Sequence, residues 1–215
     1  ITEGIFSMDG DWSKLDEMTE ISEKKDIITI LDDAHGDFVL GRDGRGTANF
    51  FNVEKKIDLY ISSLSKGLGS FGGYVCGKSN LIDLCINTSK TFIYTSALPA
   101  SINQYSLQRF NSNREAYRKK LWNKINQFHD RLNEIGFKTT STSQIIPIII
   151  GDEKKAMDFS KFLKSEGIFA QAIRYPTVKK NQARIRISIT GWLSEKDIEY
   201  SIKILEKAKR KFDLK

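Results

Sequence analysis

Lys66 stands in the run Ser62-Ser63-Leu64-Ser65-Lys66-Gly67-Leu68-Gly69, downstream of Leu31-Asp32-Asp33-Ala34-His35-Gly36, and apolar, strand-like residues lead into both segments. A lysine amine can condense with an aldehyde to form a Schiff base. An aspartate at the end of a buried strand can hold the proton on a pyridine nitrogen that turns the ring into an electron sink. Together the two residues point to pyridoxal 5'-phosphate chemistry; neither carries that reading alone.

Such groups need a scaffold that presents them on one side. Leu15, Met18 and Ile21 recur at helical spacing, and the apolar run Ile27 to Leu31 reads as a buried parallel strand ending in the paired aspartates. Ile57-Asp58-Leu59-Tyr60-Ile61 reads as a second strand leading towards Lys66, Tyr74-Val75-Cys76 as a short third, and residues 80–87 as a helix. Alternating helices and strands predict an α/β layered sandwich, in which ligands gather beyond the carboxyl ends of the strands, where Asp32 and the Lys66 loop would lie. After about residue 110 the pattern changes. Leu121, Ile125, Phe128, Leu132 and Ile135 mark one face of a helix that stops at Gly136. Residues 143–150 read as a strand, 156–165 as a helix, and Arg184-Ile185-Arg186-Ile187-Ser188-Ile189 as a half-buried strand of period two; a closing helix carries Ile198, Ile202, Leu205 and Phe212 inward. Two domains are expected, an α/β domain over 1–110 and a small α+β domain over 111–215.

With 215 residues, 40% hydrophobic and 28% charged, the chain can bury a substantial core. Its longest apolar stretch, Ile145 to Ile150, is far too short to span a bilayer, so a soluble, cytoplasmic protein is expected. Two cysteines make a disulfide framework implausible, and Cys76 and Cys85 are expected to be reduced core residues. Residues 1–110 carry 11 Lys/Arg against 15 Asp/Glu, and residues 111–215 carry 23 against 12. Most of this basic excess reads as solvated lysine on amphipathic helices, with attraction of an anionic acyl carrier such as coenzyme A as its functional reading. No nucleic-acid motif accompanies it, and no metal site is read from the sequence.

Four segments occur in order: Thr2-Glu3-Gly4-Ile5-Phe6-Ser7-Met8-Asp9-Gly10-Asp11, Asp32-Asp33-Ala34-His35-Gly36, Gly41-Arg42-Asp43-Gly44-Arg45-Gly46 and Ser65-Lys66-Gly67-Leu68-Gly69. Tyr94-Thr95-Ser96-Ala97-Leu98-Pro99, Ala172-Ile173-Arg174-Tyr175-Pro176-Thr177-Val178 and Ala183-Arg184-Ile185-Arg186 follow. The series resembles the α-oxoamine synthase family. The resemblance implies the C-terminal part of a fold-type I, aspartate-aminotransferase-like transferase: an α/β/α portion of the large domain followed by a small α+β domain. Lys66 resembles the family's Schiff-base lysine, which also acts as general base on the amino-acid α-proton. Asp32 matches the aspartate at the pyridinium nitrogen, with Asp33 pointing the other way and the reverse assignment of the pair left open. His35 matches the histidine at the ring hydroxyl, and Ser7 a second residue near it. Ser63 would meet the phosphate, and Thr95 and Ser96 the phosphate of a neighbouring subunit, which implies a homodimer with shared active sites. Arg174 would hold the amino-acid carboxylate as a planar guanidinium suits, and Thr177 would touch substrate. His129, Arg184 and Arg186 read as structural, the two arginines with a substrate-steering role as the alternative.

Within the family, the resemblance is strongest to members that condense L-alanine with a pimeloyl thioester, carried on coenzyme A or on a carrier protein, in the pathway to biotin. Condensation of glycine with acetyl-CoA is the alternative within the family, and a non-catalytic half that binds a partner is the alternative outside it. Members are nearly twice as long, so the resemblance also implies a preceding half with a glycine-rich phosphate loop and the aromatic residue that stacks on the ring. The present residues alone are then expected to bind cofactor weakly and to show little activity, with a gain on adding that half.

Overall fold

The computed structural model describes residues 1–214, which divide into one unit of Ile1–Phe6 and Trp12–Arg118 and another of Ser7–Asp11 with the chain from Lys119 onward. The first unit runs β1 (Thr2–Glu3), α1 (Leu15–Lys25), β2 (Ile30–Asp32), α2 (Thr47–Phe50), β3 (Leu59–Ser63), β4 (Gly73–Gly77), α3 (Ser79–Thr88), α4 (Lys90–Ile93) and α5 (Ala100–Phe110). Its strands pair in the order β1-β2-β3-β4, the first three parallel and β4 antiparallel to β3. Leu31 is fully buried and packs with Leu15, Ala48 and Val53 into a small core. Glu3 pairs with Asp32 and Asp32 with Ile61, so β1 and β2 end level and β3 runs two residues further, to Ser63.

The apolar run Ile27 to Leu31 is not all strand. Helix α1 closes at Asp26 in the left-handed conformation (φ 53°), and the Ile27 N–H reaches back to the Ser22 carbonyl at 2.9 Å. Ile27 and Ile28 are thereby spent on the turn and stay exposed; pairing begins at Ile30. Cys76 is exposed and Cys85 half-buried, against the expectation of two core thiols. Strand β4 is an edge strand with its side chains largely exposed, and α3, α4 and α5 fully bury no side chain. Among the described residues no helix is long and apolar enough to cross a membrane.

The second unit draws on α6 (Arg114–Glu134), then β5 (Ile145–Gly151), α7 (Glu153–Ser165), β6 (Gln171–Ile173), β7 (Ala183–Ser188) and α8 (Glu195–Lys211). Its antiparallel sheet has the order β5-β7-β6. Period-two alternation turns Ile146 and Ile185 inward, against Ile125, Phe128 and Leu132 of α6, Phe159 and Leu163 of α7, and Ile198 and Leu205 of α8. Gly136, at φ +77°, ends the α6 region, and the Lys209 ammonium donates to the carbonyls of Ile135 and Gly136. The units divide inside α6, at 118/119, rather than at 110/111. Arg114, in its first turn, stacks on the rings of Phe38 and Phe110, which holds that turn in the first unit.

Candidate functional site

Asp32 is the last residue of β2, half-buried, and one carboxylate oxygen accepts the Ala34 N–H at 3.0 Å. The next N–H, of Asp33, donates to the Ile61 carbonyl at 2.8 Å, and the Asp33 carbonyl accepts from Gly36 and Asp37. His35 thus sits in a tight turn directly off the strand end. On the neighbouring strand, β3 runs out at Ser63 into a turn closed by Leu64 N–H to Gly72 O at 2.9 Å and Ser70 N–H to Leu64 O at 2.8 Å. Gly67 is packed so closely that a Cβ there would lie 2.5 Å from the Asp37 carbonyl oxygen. The turn carrying Lys66 therefore rests against the loop carrying His35. Lys66 is exposed, and among the described residues no carboxylate pairs with its ammonium. The hydroxyls of Ser63 and Ser65 share a hydrogen bond of 2.8 Å.

The strongest electrostatics belong to Asp33, the alternative of the aspartate pair, and to Asp37, which the sequence did not single out. Asp33 is fully buried, and its carboxylate accepts from the Thr47 N–H at 2.6 Å, the Thr47 hydroxyl at 2.5 Å and the Tyr60 hydroxyl at 2.8 Å. Asp37, also buried, accepts from the hydroxyls of Ser62 at 2.7 Å and Tyr74 at 2.6 Å. Gly4, Gly36 and Gly46 surround Asp33, each placed so that a Cβ would fall about 2 Å from its carboxylate. Burial pushes the Asp33 carboxyl up from 3.8 to about 6, against the opposing pull of its hydrogen bonds, and raises Asp37 as well.

An acid with a raised folded pKa adds stability below its unfolded pKa and loses it as pH rises through the folded one. The stability advantage of the parent chain over Asp33→Asn is therefore expected to shrink by about 3 kcal/mol between pH 3.8 and pH 7. Urea unfolding of both chains across that range checks this; a constant difference would contradict a carboxyl that titrates near 6.

Thr95 follows α4 with its side chain exposed. Its segment approaches the Lys66 turn through Leu98, whose Cδ1 would lie 2.7 Å from a Cβ at Gly72. Asp32, His35, Ser63 and Lys66 are thus brought to one end of the first unit's sheet, with Thr95 on the segment beside the turn. Ser7, Arg174 and Thr177 belong to the second unit. There the Ser7 carbonyl accepts from Arg186 at 3.3 Å, and Arg174 and Thr177 are exposed on a turn closed by Thr177 N–H to Arg174 O at 3.0 Å.

Buried Arg184 donates to the carbonyls of Met8 and Gln182, each at 3.2 Å, and to the Asp9 carboxylate. It fastens the short Ser7–Asp11 segment into the second unit. Arg184→Lys, which loses the planar fork, is expected to lower unfolding free energy by about 1–3 kcal/mol in chemical denaturation. His129 is half-buried in α6, where burial lowers its pKa and its Nε2 has no hydrogen-bond partner among the described residues.

The groups at the first unit's sheet end suit a phosphorylated pyridine aldehyde: an unpaired exposed amine, a strand-end carboxylate, an imidazole and a serine hydroxyl. Three residues after Lys66, a Cβ built at exposed Gly69 would meet nothing within 4 Å among the described residues.

Comparison with known proteins agrees with this. The family profile of aminotransferase class I and II matches residues 1–205. The chain is 42% identical over 217 aligned positions to an 8-amino-7-oxononanoate synthase of Thermoanaerobacter pseudethanolicus, spanning 100% of this chain and 55% of that protein. It is 40% identical over 210 positions to the corresponding synthase of Petrotoga mobilis, spanning 96% and 53%. The chain thus spans about half the length of the curated relatives it matches. Among solved structures, a serine palmitoyltransferase from S. paucimobilis superposes with a TM-score of 0.93 at 24% identity, over 99% of this chain and 55% of that one. The 8-amino-7-oxononanoate synthase of Francisella tularensis does so with a TM-score of 0.82 at 28% identity, over 98% and 62%. The fold-type I class expected from the sequence is the fold of these structures, and pyridoxal 5'-phosphate, read from Lys66 and Asp32, is the cofactor of the family. Matched by that family's profile over residues 1–205, nearly its whole length, the chain belongs to the aminotransferase class I and II family.

Proposed function

We propose that this chain is the lysine-bearing part of a pyridoxal-phosphate-dependent α-oxoamine synthase that condenses L-alanine with a pimeloyl thioester, on coenzyme A or a carrier protein, to give 8-amino-7-oxononanoate in biotin synthesis. Carbon dioxide and the free thiol carrier are released. The observation that carries this reading is the juxtaposition of the Asp32–His35 loop with the Lys66 turn, fixed by the Asp32–Ile61 register and by the close approach of Gly67 to Asp37. The names of the relatives at 42% and 40% identity support the choice of substrates.

When bound, pyridoxal phosphate supplies an electron sink for the carbanion formed at the amino-acid Cα. Lys66 would hold the cofactor through its amine, and its Nζ would be the base for the amino-acid α-proton. Asp32 would hold a proton on the ring nitrogen and His35 would hydrogen-bond the ring hydroxyl, a role the family resemblance extends to Ser7. Ser63 and, from a second subunit, Thr95 would hold the phosphate. Arg174 orients the substrate carboxylate through paired hydrogen bonds until it leaves as carbon dioxide, and Thr177 contacts the substrate. The exposed apolar side chains Leu84, Phe92, Ile93 and Leu107 on α3, α4 and α5 support a homodimer that shares its sites.

Incubation of the native protein with pyridoxal phosphate, L-alanine and pimeloyl-CoA is expected to yield a product with the mass of 8-amino-7-oxononanoate. Turnover with glycine and acetyl-CoA alone would instead assign the glycine C-acetyltransferase reaction. Absence of turnover despite bound cofactor would favour a non-catalytic half.

A further inference from the structure

Two buried carboxylates in the first unit have no part in the chemistry just described, and both flank residues that do. Asp33 directly follows Asp32, and Asp33 and Asp37 bracket His35. Asp33 is tied to Tyr60 on β3 and to Thr47 at the start of α2; Asp37 is tied to Ser62 on β3 and to Tyr74 on β4. The rings of Tyr60 and Tyr74 stack with their centroids 6.2 Å apart, so the two latches lean on each other. The Asp37 carbonyl in turn forms the wall against which the Lys66–Gly67 turn rests.

We infer that Asp33 and Asp37 are positioning residues, whose bonds to Tyr60 and Tyr74 lock the loop bearing Asp32 and His35 in register with the Lys66 turn. The inference rests on the functional reading of Asp32, His35 and Lys66 given above. Its physical basis is the cost of leaving a buried carboxylate short of donors, which makes each latch far harder to open than a solvated loop contact. A loop pinned at both ends presents its carboxylate and imidazole in one geometry, and an unpinned loop must be ordered at the expense of cofactor affinity.

The test pairs Tyr60→Phe/Tyr74→Phe, which deletes only two hydroxyls, with Ser62→Ala, which removes a separate donor from Asp37 should the double variant fail to fold. Amide exchange in the peptide covering 33–40 is measured on the full chain without cofactor, and pyridoxal-phosphate half-saturation on the same preparations. Exchange in that peptide is expected to quicken at least about tenfold, with exchange in α7 and α8 unchanged, and half-saturation to rise at least about tenfold, since even one of the two charged hydrogen bonds deleted is worth that much. A merely structural role would instead lower the melting temperature and speed exchange throughout the unit, leaving cofactor affinity of the folded protein unchanged, and would overturn the inference. Unchanged exchange in 33–40 would overturn it as well. The functional reading is tested separately: a parent chain that shows the latch in exchange but never attaches pyridoxal phosphate at Lys66 refutes that reading, and the positioning role with it.

Discussion

Lys66→Ala is expected to abolish borohydride-stable attachment of pyridoxal phosphate and to lower turnover of the native protein by about a thousandfold or more, since both the covalent anchor and the general base are lost. The fold should tolerate the change. Lys66 is exposed and makes no ion pair among the described residues, so melting temperature should stay within a degree or two of the parent, as for surface substitutions generally. Lys78 is the natural control. It is also exposed but is engaged with Asp58, so Lys78→Ala should leave cofactor attachment intact. Equal loss of attachment in both variants would contradict the assignment of Lys66.

Gly46→Ala is expected to be the most damaging single methyl in the first unit. Gly46 has φ +86° and ψ −175°, a backbone region open in practice only to glycine, and its added Cβ would lie 2.2 Å from an Asp33 oxygen and 2.3 Å from the Tyr60 hydroxyl. Neither neighbour can retreat, because Asp33 is fully buried and held by Thr47. Backbone strain of about 1–3 kcal/mol adds to the loss of a buried charged hydrogen bond of about 1.5–3 kcal/mol, and the total is of the order of the whole stability of a small domain. Gly69→Ala provides the contrast. It shares a positive φ of +71° but has open space where the Cβ would go, so about 1–2 kcal/mol of backbone strain is its whole expected cost. Denaturant unfolding of the two variants separates them; similar destabilisation would show that the packing around Asp33 has been misjudged.

The residues proposed to carry the chemistry can be picked out in the sequence by type, because a pyridoxal-phosphate site asks for particular groups. An amine on a glycine-flanked turn and a carboxylate ending an apolar run need no knowledge of packing, and strand adjacency then follows from α/β topology. The residues that hold them were not legible. Asp33 reads in the sequence as interchangeable with Asp32, and its buried latch is seen only when Thr47 and Tyr60 are brought to it from distant parts of the chain. Asp37 and Tyr74, 37 positions apart, likewise meet only through the pairing of β3 with β4. The spacing of Gly4, Gly36 and Gly46 was the available clue, since glycines that converge on one buried group leave no local periodicity. Hydrophobic runs misled in the opposite way: Ile27 and Ile28 look like strand yet close a helix, and Cys76 looks like core yet lies on an edge strand. Long amphipathic segments such as α6 and α8 were legible because their period repeats over many turns. Strand β6, with three residues, gives no such repeat.

The most direct test of the central claim is to treat the native protein with pyridoxal phosphate, reduce it with borohydride, and map the modified peptide by mass spectrometry. A single pyridoxyl group on Lys66 is the predicted result. Modification scattered over the surface lysines of α8, or none above background, would contradict the placement of the cofactor at the Asp32–Lys66 end of the first unit.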